Sequence, residues 1–184
     1  MRHEASRRRG SGFEGVYEEH VWRVYGFLSY RVRNRELAED LTQATFERAL
    51  RAWARFDPRR ASEASWLLAI ARNLLIDHWR RSRQAIDPVD ERVLGASPGP
   101  EERFAASEEL IDALSQLGQR EREVIALRFG GDLNAPEIAA MLGLSVANVQ
   151  QMTSRSLRIL RTLLADVDPH ERQPLARGLR SEDL

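Results

Sequence analysis

The 184-residue chain is 42% hydrophobic, enough for one ordinary domain or two small helical ones, and its 28 basic and 28 acidic residues leave no formal net charge. The absence of cysteine excludes a disulfide framework and a thiolate metal site. No apolar run approaches the roughly 20 residues a membrane span needs, and Met1–Gly12 lacks a signal peptide's apolar core, so no membrane insertion and a cytoplasmic setting are expected.

All 28 basic residues are arginine, and along the chain they separate from the acids in blocks. Residues 1–12 hold four arginines against one glutamate and read as a disordered basic tail. A first helix is predicted from about Glu14 to Arg33, with Val16, Val21, Val24, Tyr25 and Leu28 along one stripe. A second runs from about Glu36 to Phe56, with Leu37, Leu41, Thr45 and Leu50 inward. A third covers about Ser62 to Arg83; Trp66, Leu67, Ile70, Ala71, Leu74 and Trp79 form its apolar set, and "DHWRRSR" closes it with a basic stripe. Residues 13–84 thus make one helical domain.

Residues 85–106 carry three prolines, two glycines and a surplus of acid without an apolar period, so they read as a flexible linker. Beyond it, "SEELIDALSQLG" is a helix capped by Ser107 and stopped at Gly118, and "QREREVIALRFGG" is another that ends at two glycines. No β-branched alternation argues for a sheet. The expected fold is all-α: two small helical domains, 13–84 and 107–166, joined by an acidic linker and followed by a flexible tail, 167–184.

The most informative stretch is "PEIAAMLGLSVANVQQMTSRSL", Pro136–Leu157. Ile138, Leu142, Leu144, Val149 and Met152 are spaced so that two short helices bury one shared face. Asn134 and Glu137 have capping-box spacing, Ala139 is small where the helices would cross, and Gly143 stands where the first must stop. Ser145 can cap the second helix, which runs to about Leu164 with Val149, Met152 and Leu157 turned inward. These positions describe a helix-turn-helix. Residues 138–165 contain three arginines and no acid, so the zero net charge hides a locally basic element that can act on a polyanion.

With both halves in view, the chain resembles a sigma factor of bacterial RNA polymerase, of the extracytoplasmic-function group of the sigma-70 family. "AEDLTQATFERALRAW" is similar to the core-binding helix of sigma region 2, and "SWLLAIARNLLIDHWRR" to its promoter-melting and minus-10 helix. "ALSQLGQREREVIALRFGGDLNAPEIAAMLGLSVANVQ" is similar to region 4, the minus-35 reader. The resemblance implies two macromolecular partners, core RNA polymerase and promoter DNA, and an anti-sigma factor as a third partner class. It implies neither a cofactor nor a metal, and a monomer when free. It places polymerase binding at Asp40, Gln43, Phe46 and Arg48. It places minus-10 binding at Arg59, Arg60, Arg72, Asn73 and Arg80, and minus-35 binding at Asn148, Gln150, Gln151, Ser154, Arg155 and Arg158.

The recognition helix departs from the family pattern, with Gln150 and Met152 where basic residues are common. Glutamine can contact adenine in two places in the major groove, whereas arginine serves phosphate better. Fewer cations weaken the sequence-independent term and its salt dependence. A stand-alone helix-turn-helix regulator would explain only the second half. The four histidines (His3, His20, His78, His170) are too scattered for a helical hydrolase's metal site.

Overall fold

The computed structural model describes residues 12–84 and 108–165, and every regular element among them is helical. Residues 1–11 of the basic tail, the acidic linker, the Ser107 cap and the C-terminal tail lie outside the described residues. The elements are α1 (Phe13–Ser29), α2 (Arg35–Ala52), α3 (Glu63–Gln84), α4 (Glu108–Ser115), α5 (Gln119–Ile125), α6 (Ala135–Leu142) and α7 (Val146–Ala165). No described helix is long and apolar enough to cross a membrane.

α1 ends at Ser29, four residues short of the expected end at Arg33. The Ser29 hydroxyl donates to the Gly26 carbonyl at 2.9 Å, and the Asn34 side chain caps α2 by accepting from the Leu37 amide at 3.1 Å. The chain must therefore turn between them. α2 also stops early, at Ala52, and tightens into a 3-10 turn over Trp53–Arg55. There Trp53 stacks on Phe56 with ring centroids 5.2 Å apart, and Trp66 of α3 closes on Phe56 at 4.8 Å.

Val24, Phe27 and Leu28 of α1 and Leu67, Leu68 and Ala71 of α3 are fully buried and form the centre of the first lobe. On α2 the buried stripe runs Ala38, Leu41, Thr45 and Ala49. Leu50, expected inward, is instead 57% exposed. One residue turns a helix by about 100°, so the small Ala49 takes the inward position against its neighbours and Leu50 rotates out. His20 is buried and hydrogen-bonds Glu63 through Nε2 at 3.4 Å. Burial holds its imidazole below the usual 6.5, against the opposing pull of Glu19 and Glu63.

The second lobe begins with α4 and α5. The stretch expected as one helix up to the glycine pair leaves α-geometry at Ile125 and widens into a π turn over Ala126–Gly130, where the Gly131 amide donates to the Ala126 carbonyl at 2.9 Å. Val124, Ala126 and Leu127 are thereby buried in the same core as α1 and α3.

The two lobes are packed together. α1 and the π turn approach so closely that a Cβ built on Gly26 would stand 2.7 Å from the Gly130 carbonyl oxygen. Around this contact Arg23 pairs with Asp132 at 2.8 Å, Arg33 with Asp112 at 2.7 Å and Arg72 with Glu123 at 2.8 Å. Arg31 is buried in the seam, donates to the Gln119 carbonyl at 3.3 Å and lies 4.9 Å from the Trp79 ring centroid. Burial lowers its guanidinium to about 10, so it keeps its charge at neutral pH.

Candidate nucleic-acid and polymerase interface

The helix-turn-helix is built by local chemistry. The Asn134 side chain accepts from the Glu137 amide at 2.9 Å, and the Glu137 carboxylate accepts from the Asn134 amide at 2.9 Å, completing the capping box. α6 then stops at Gly143 with φ of 65°, the left-handed conformation glycine adopts at little cost. The Ser145 hydroxyl accepts from the Asn148 amide at 3.2 Å and starts α7.

On α7, Val149, Ser156 and Leu160 are buried and Met152 is half-buried. Leu157, expected inward, is 36% exposed, and Ser156 occupies the inward position. A 3.6-residue period counted from Val149 reaches 156 rather than 157, so helix phase decides against the larger apolar side chain. Asn148, Gln150, Gln151, Ser154, Arg155 and Arg158 are all exposed. Among the described residues none of Arg155, Arg158 or Arg161 is in an ion pair, and no acid on α6 or α7 after Glu137 neutralises them. The result is an exposed face of amides and unneutralised guanidiniums on the second helix of a helix-turn-helix.

In the first lobe the expected minus-10 residues lie in the loop before α3 and along α3 itself. Arg59 and Arg60 are exposed in the loop before α3, where the Asp57 carboxylate accepts from the Arg59 amide at 3.0 Å. Asn73 is exposed on α3, and Arg80, also exposed, pairs with Asp77 at 2.9 Å. At 1.5 Å per residue, Arg80 stands about 10 Å beyond Asn73. Arg72 departs from this set. Its Nε donates to Glu123 of the other lobe, and its side chain is only 25% exposed.

On α2, Asp40, Gln43 and Arg48 are exposed, and Gln43 donates to Glu47 at 3.1 Å. Phe46 is buried at 5% exposure, with Tyr17 edge-on at 4.8 Å between centroids. It is therefore the floor of a groove between α1 and α2 rather than a projecting contact. Leu50, at 57%, together with Tyr17 at 47% and Trp22 at 37%, makes the exposed apolar rim.

The sigma-70 region 2 family model matches residues 16–85 and the region 4 model matches residues 113–162. RNA polymerase sigma factor CarQ of Myxococcus xanthus is 34% identical over 159 residues, covering 85% of this chain and 91% of CarQ. The chain belongs to the extracytoplasmic-function group of the sigma-70 family. The ECF sigma factor BldN of Streptomyces coelicolor is 33% identical over 160 residues, and the match takes in 84% of this chain but only 61% of that longer protein. Sigma factor RpoE of Bartonella quintana, solved in complex with the anti-sigma factor NepR, has the same fold, with a TM-score of 0.68 at 22% identity over 85% of this chain and 98% of that one.

As a sigma factor of this group, the protein carries region 2 on α1–α3 and region 4 on α4–α7. Sequence reasoning missed Tyr17 and Trp22 of region 2. Their signal was available, since Tyr17 and Trp22 lie off the stripe traced by Val16, Val24 and Leu28, and a large aromatic outside a core stripe points to a binding surface.

Proposed function

We propose that the protein binds core RNA polymerase and directs promoter recognition, DNA melting and transcription initiation, with residues 13–84 and 107–166 as its two working domains. The observation that carries this reading is the coexistence, in one chain, of a region-2 lobe with an exposed α2 edge and a region-4 helix-turn-helix with a bare amide and guanidinium face. α2 docks on polymerase through Asp40, Gln43 and Arg48 beside the apolar rim, with Phe46 beneath. Arg59, Arg60, Arg72, Asn73 and Arg80 hold the melted minus-10 strand, its phosphates on guanidiniums and an unstacked base in the loop before α3. Asn148, Gln150, Gln151, Ser154, Arg155 and Arg158 meet the minus-35 duplex in the major groove. The site is one of binding rather than catalysis, and it works in the cytoplasm, as a monomer until polymerase takes it up. RpoE's complex with NepR supports an anti-sigma factor as a further partner class.

Run-off transcription with core polymerase, this protein and genomic fragments tests the reading. Discrete start sites sharing one upstream element at a fixed distance are expected. Loss of all protein-dependent starts, on core that is active with another sigma factor, would overturn it.

The minus-35 assignment divides by chemistry. Gln150→Ala or Gln151→Ala is expected to cost about 1–3 kcal/mol on the preferred minus-35 duplex and much less on a scrambled one, because only the first offers base edges in register. Arg158→Ala is expected to weaken both duplexes alike and to reduce the slope of log affinity against log salt by about one. Binding titrations at several salt concentrations measure both. Equal losses on matched and scrambled DNA for the glutamine variants would remove them from base reading.

A further inference from the structure

The loop between the 3-10 turn and α3 reads Asp57-Pro58-Arg59-Arg60-Ala61-Ser62. It puts a hydroxyl two and three residues after a pair of arginines, the charge pattern that a serine kinase with carboxylate-lined substrate subsites selects. The folded chain leaves these groups within reach. Arg59, Arg60 and Ser62 are exposed, and among the described residues neither arginine is in an ion pair. The backbone of the loop is held by short-range turns, the Arg59 and Arg60 amides donating to the Asp57 carboxylate and carbonyl at 3.0 Å each. Such a segment can be drawn into a kinase cleft without unfolding a helix. Ser82 also follows two arginines but offers no such access. It lies inside α3, and its hydroxyl donates to the His78 carbonyl at 3.0 Å. Ser62 instead stands at the start of α3, where its Oγ accepts from the Ser65 amide at 3.2 Å. The same Oγ lies 2.9 Å from the Ser65 hydroxyl and 3.2 Å from the Glu137 carboxylate.

We propose that Ser62 is the acceptor of a basophilic serine kinase, and that its phosphate takes Arg59 and Arg60 away from the minus-10 strand. Ser62 Oγ attacks the γ-phosphorus of a nucleoside triphosphate, and the bond from that phosphorus to the β,γ-bridging oxygen breaks. The nucleoside diphosphate leaves, and the hydroxyl proton passes to the kinase's base. A phosphate is well placed at a helix start and beside arginines, and repulsion from Glu137 turns it away from α6 toward Arg59 and Arg60. Two arginines against Asp57 give residues 57–62 one net positive charge, which a phosphate of about −2 reverses. The guanidiniums that hold strand phosphates then hold the chain's own. The effect on the strand rests on the nucleic-acid reading of Arg59 and Arg60 given above; the modification itself does not.

The full-length chain, incubated with ATP and the catalytic subunit of cyclic-AMP-dependent protein kinase as the basophilic enzyme, is expected to gain a phosphate on Ser62, located by peptide mass spectrometry. Ser11, which follows Arg8 and Arg9 at the same spacing, falls on a separate peptide. Ser62→Asn removes the acceptor and keeps a good helix cap, so that chain folds as before and gains no phosphate there. Binding of a fluorescent single-stranded oligonucleotide should weaken about tenfold when Ser62 is phosphorylated, the effect in water of two charges about 6 Å from a strand phosphate. Ser62→Asp, with one charge, should bind about threefold more weakly than the neutral Ser62→Asn. A Ser62 peptide without phosphate would overturn the site. Phosphorylated protein that binds the oligonucleotide as tightly as unmodified protein would overturn the regulation. Equal binding by Ser62→Asp and Ser62→Asn would mean that bulk rather than charge acts, and would overturn the competition for Arg59 and Arg60. If no form binds the oligonucleotide, the nucleic-acid reading of the two arginines fails and the regulation with it, while the peptide still decides the site.

Discussion

Reversing two charges on α2, Asp40→Arg together with Arg48→Glu, is expected to abolish co-purification with core RNA polymerase and to leave the far-ultraviolet circular dichroism unchanged. Both side chains are exposed, and neither is in an ion pair among the described residues, so the double change removes no internal contact of region 2. Exposed substitutions of this kind usually alter stability by less than about 0.5 kcal/mol. At an interface the same change sets like charges against each other, which costs several kcal/mol, and 4 kcal/mol is already about a thousandfold in affinity. The proposed docking surface has the usual form of such a site, an apolar rim of Tyr17, Trp22 and Leu50 flanked by charge. Pull-down with purified core polymerase reads the outcome directly. Undiminished capture of the double variant would place the polymerase contact elsewhere on the chain.

Phe27→Ala is expected to lower the stability of the protein by about 3–5 kcal/mol, and Leu50→Ala to change it by no more than about 0.5 kcal/mol. Phe27 is fully buried between the helices of region 2, and it belongs to a core that continues through Val124 and Leu127 of region 4. Removing its ring forfeits the transfer energy and leaves a cavity that close-packed neighbours fill only in part. Against a total of about 5–15 kcal/mol, that loss is a large fraction of what holds the fold. Leu50 has most of its surface in water already and has little burial to lose. Urea unfolding of the two variants separates the cases. Similar midpoints for Phe27→Ala and wild type would mean that the ring is not a structural centre. A Leu50→Ala loss as large as that of Phe27→Ala would put Leu50 back in the core.

The two residues also mark what a linear reading can and cannot reach. A period-3.6 pattern identified the three helices of region 2, caps and stops the two helices after the linker, and the pattern around Gly143 the helix-turn-helix down to its caps. Yet Leu50 and Leu157 were expected inward because they are large and apolar, and in the folded chain Ala49 and Ser156 hold those inward positions. The pattern locates a helix well and its phase poorly when a small residue and a large one are adjacent. Phase is settled by how closely the neighbouring helix approaches, and close approach favours the small side chain.

What the sequence by itself determined is therefore what short-range chemistry determines. The all-α content, the stops and starts at Asn134, Gly143 and Ser145, and the two sigma-factor motif sets all depend on residues close together in the chain. What only the tertiary structure decided involves partners far apart in the chain. Arg23 finds Asp132 across 109 positions, and Arg72 finds Glu123 across 51. The π turn that carries Gly130 to Gly26 and the withdrawal of Arg72 into the seam have no local signal. Each exists because two lobes, folded by their own periodicities, bury a shared apolar face and align the charges at its edge.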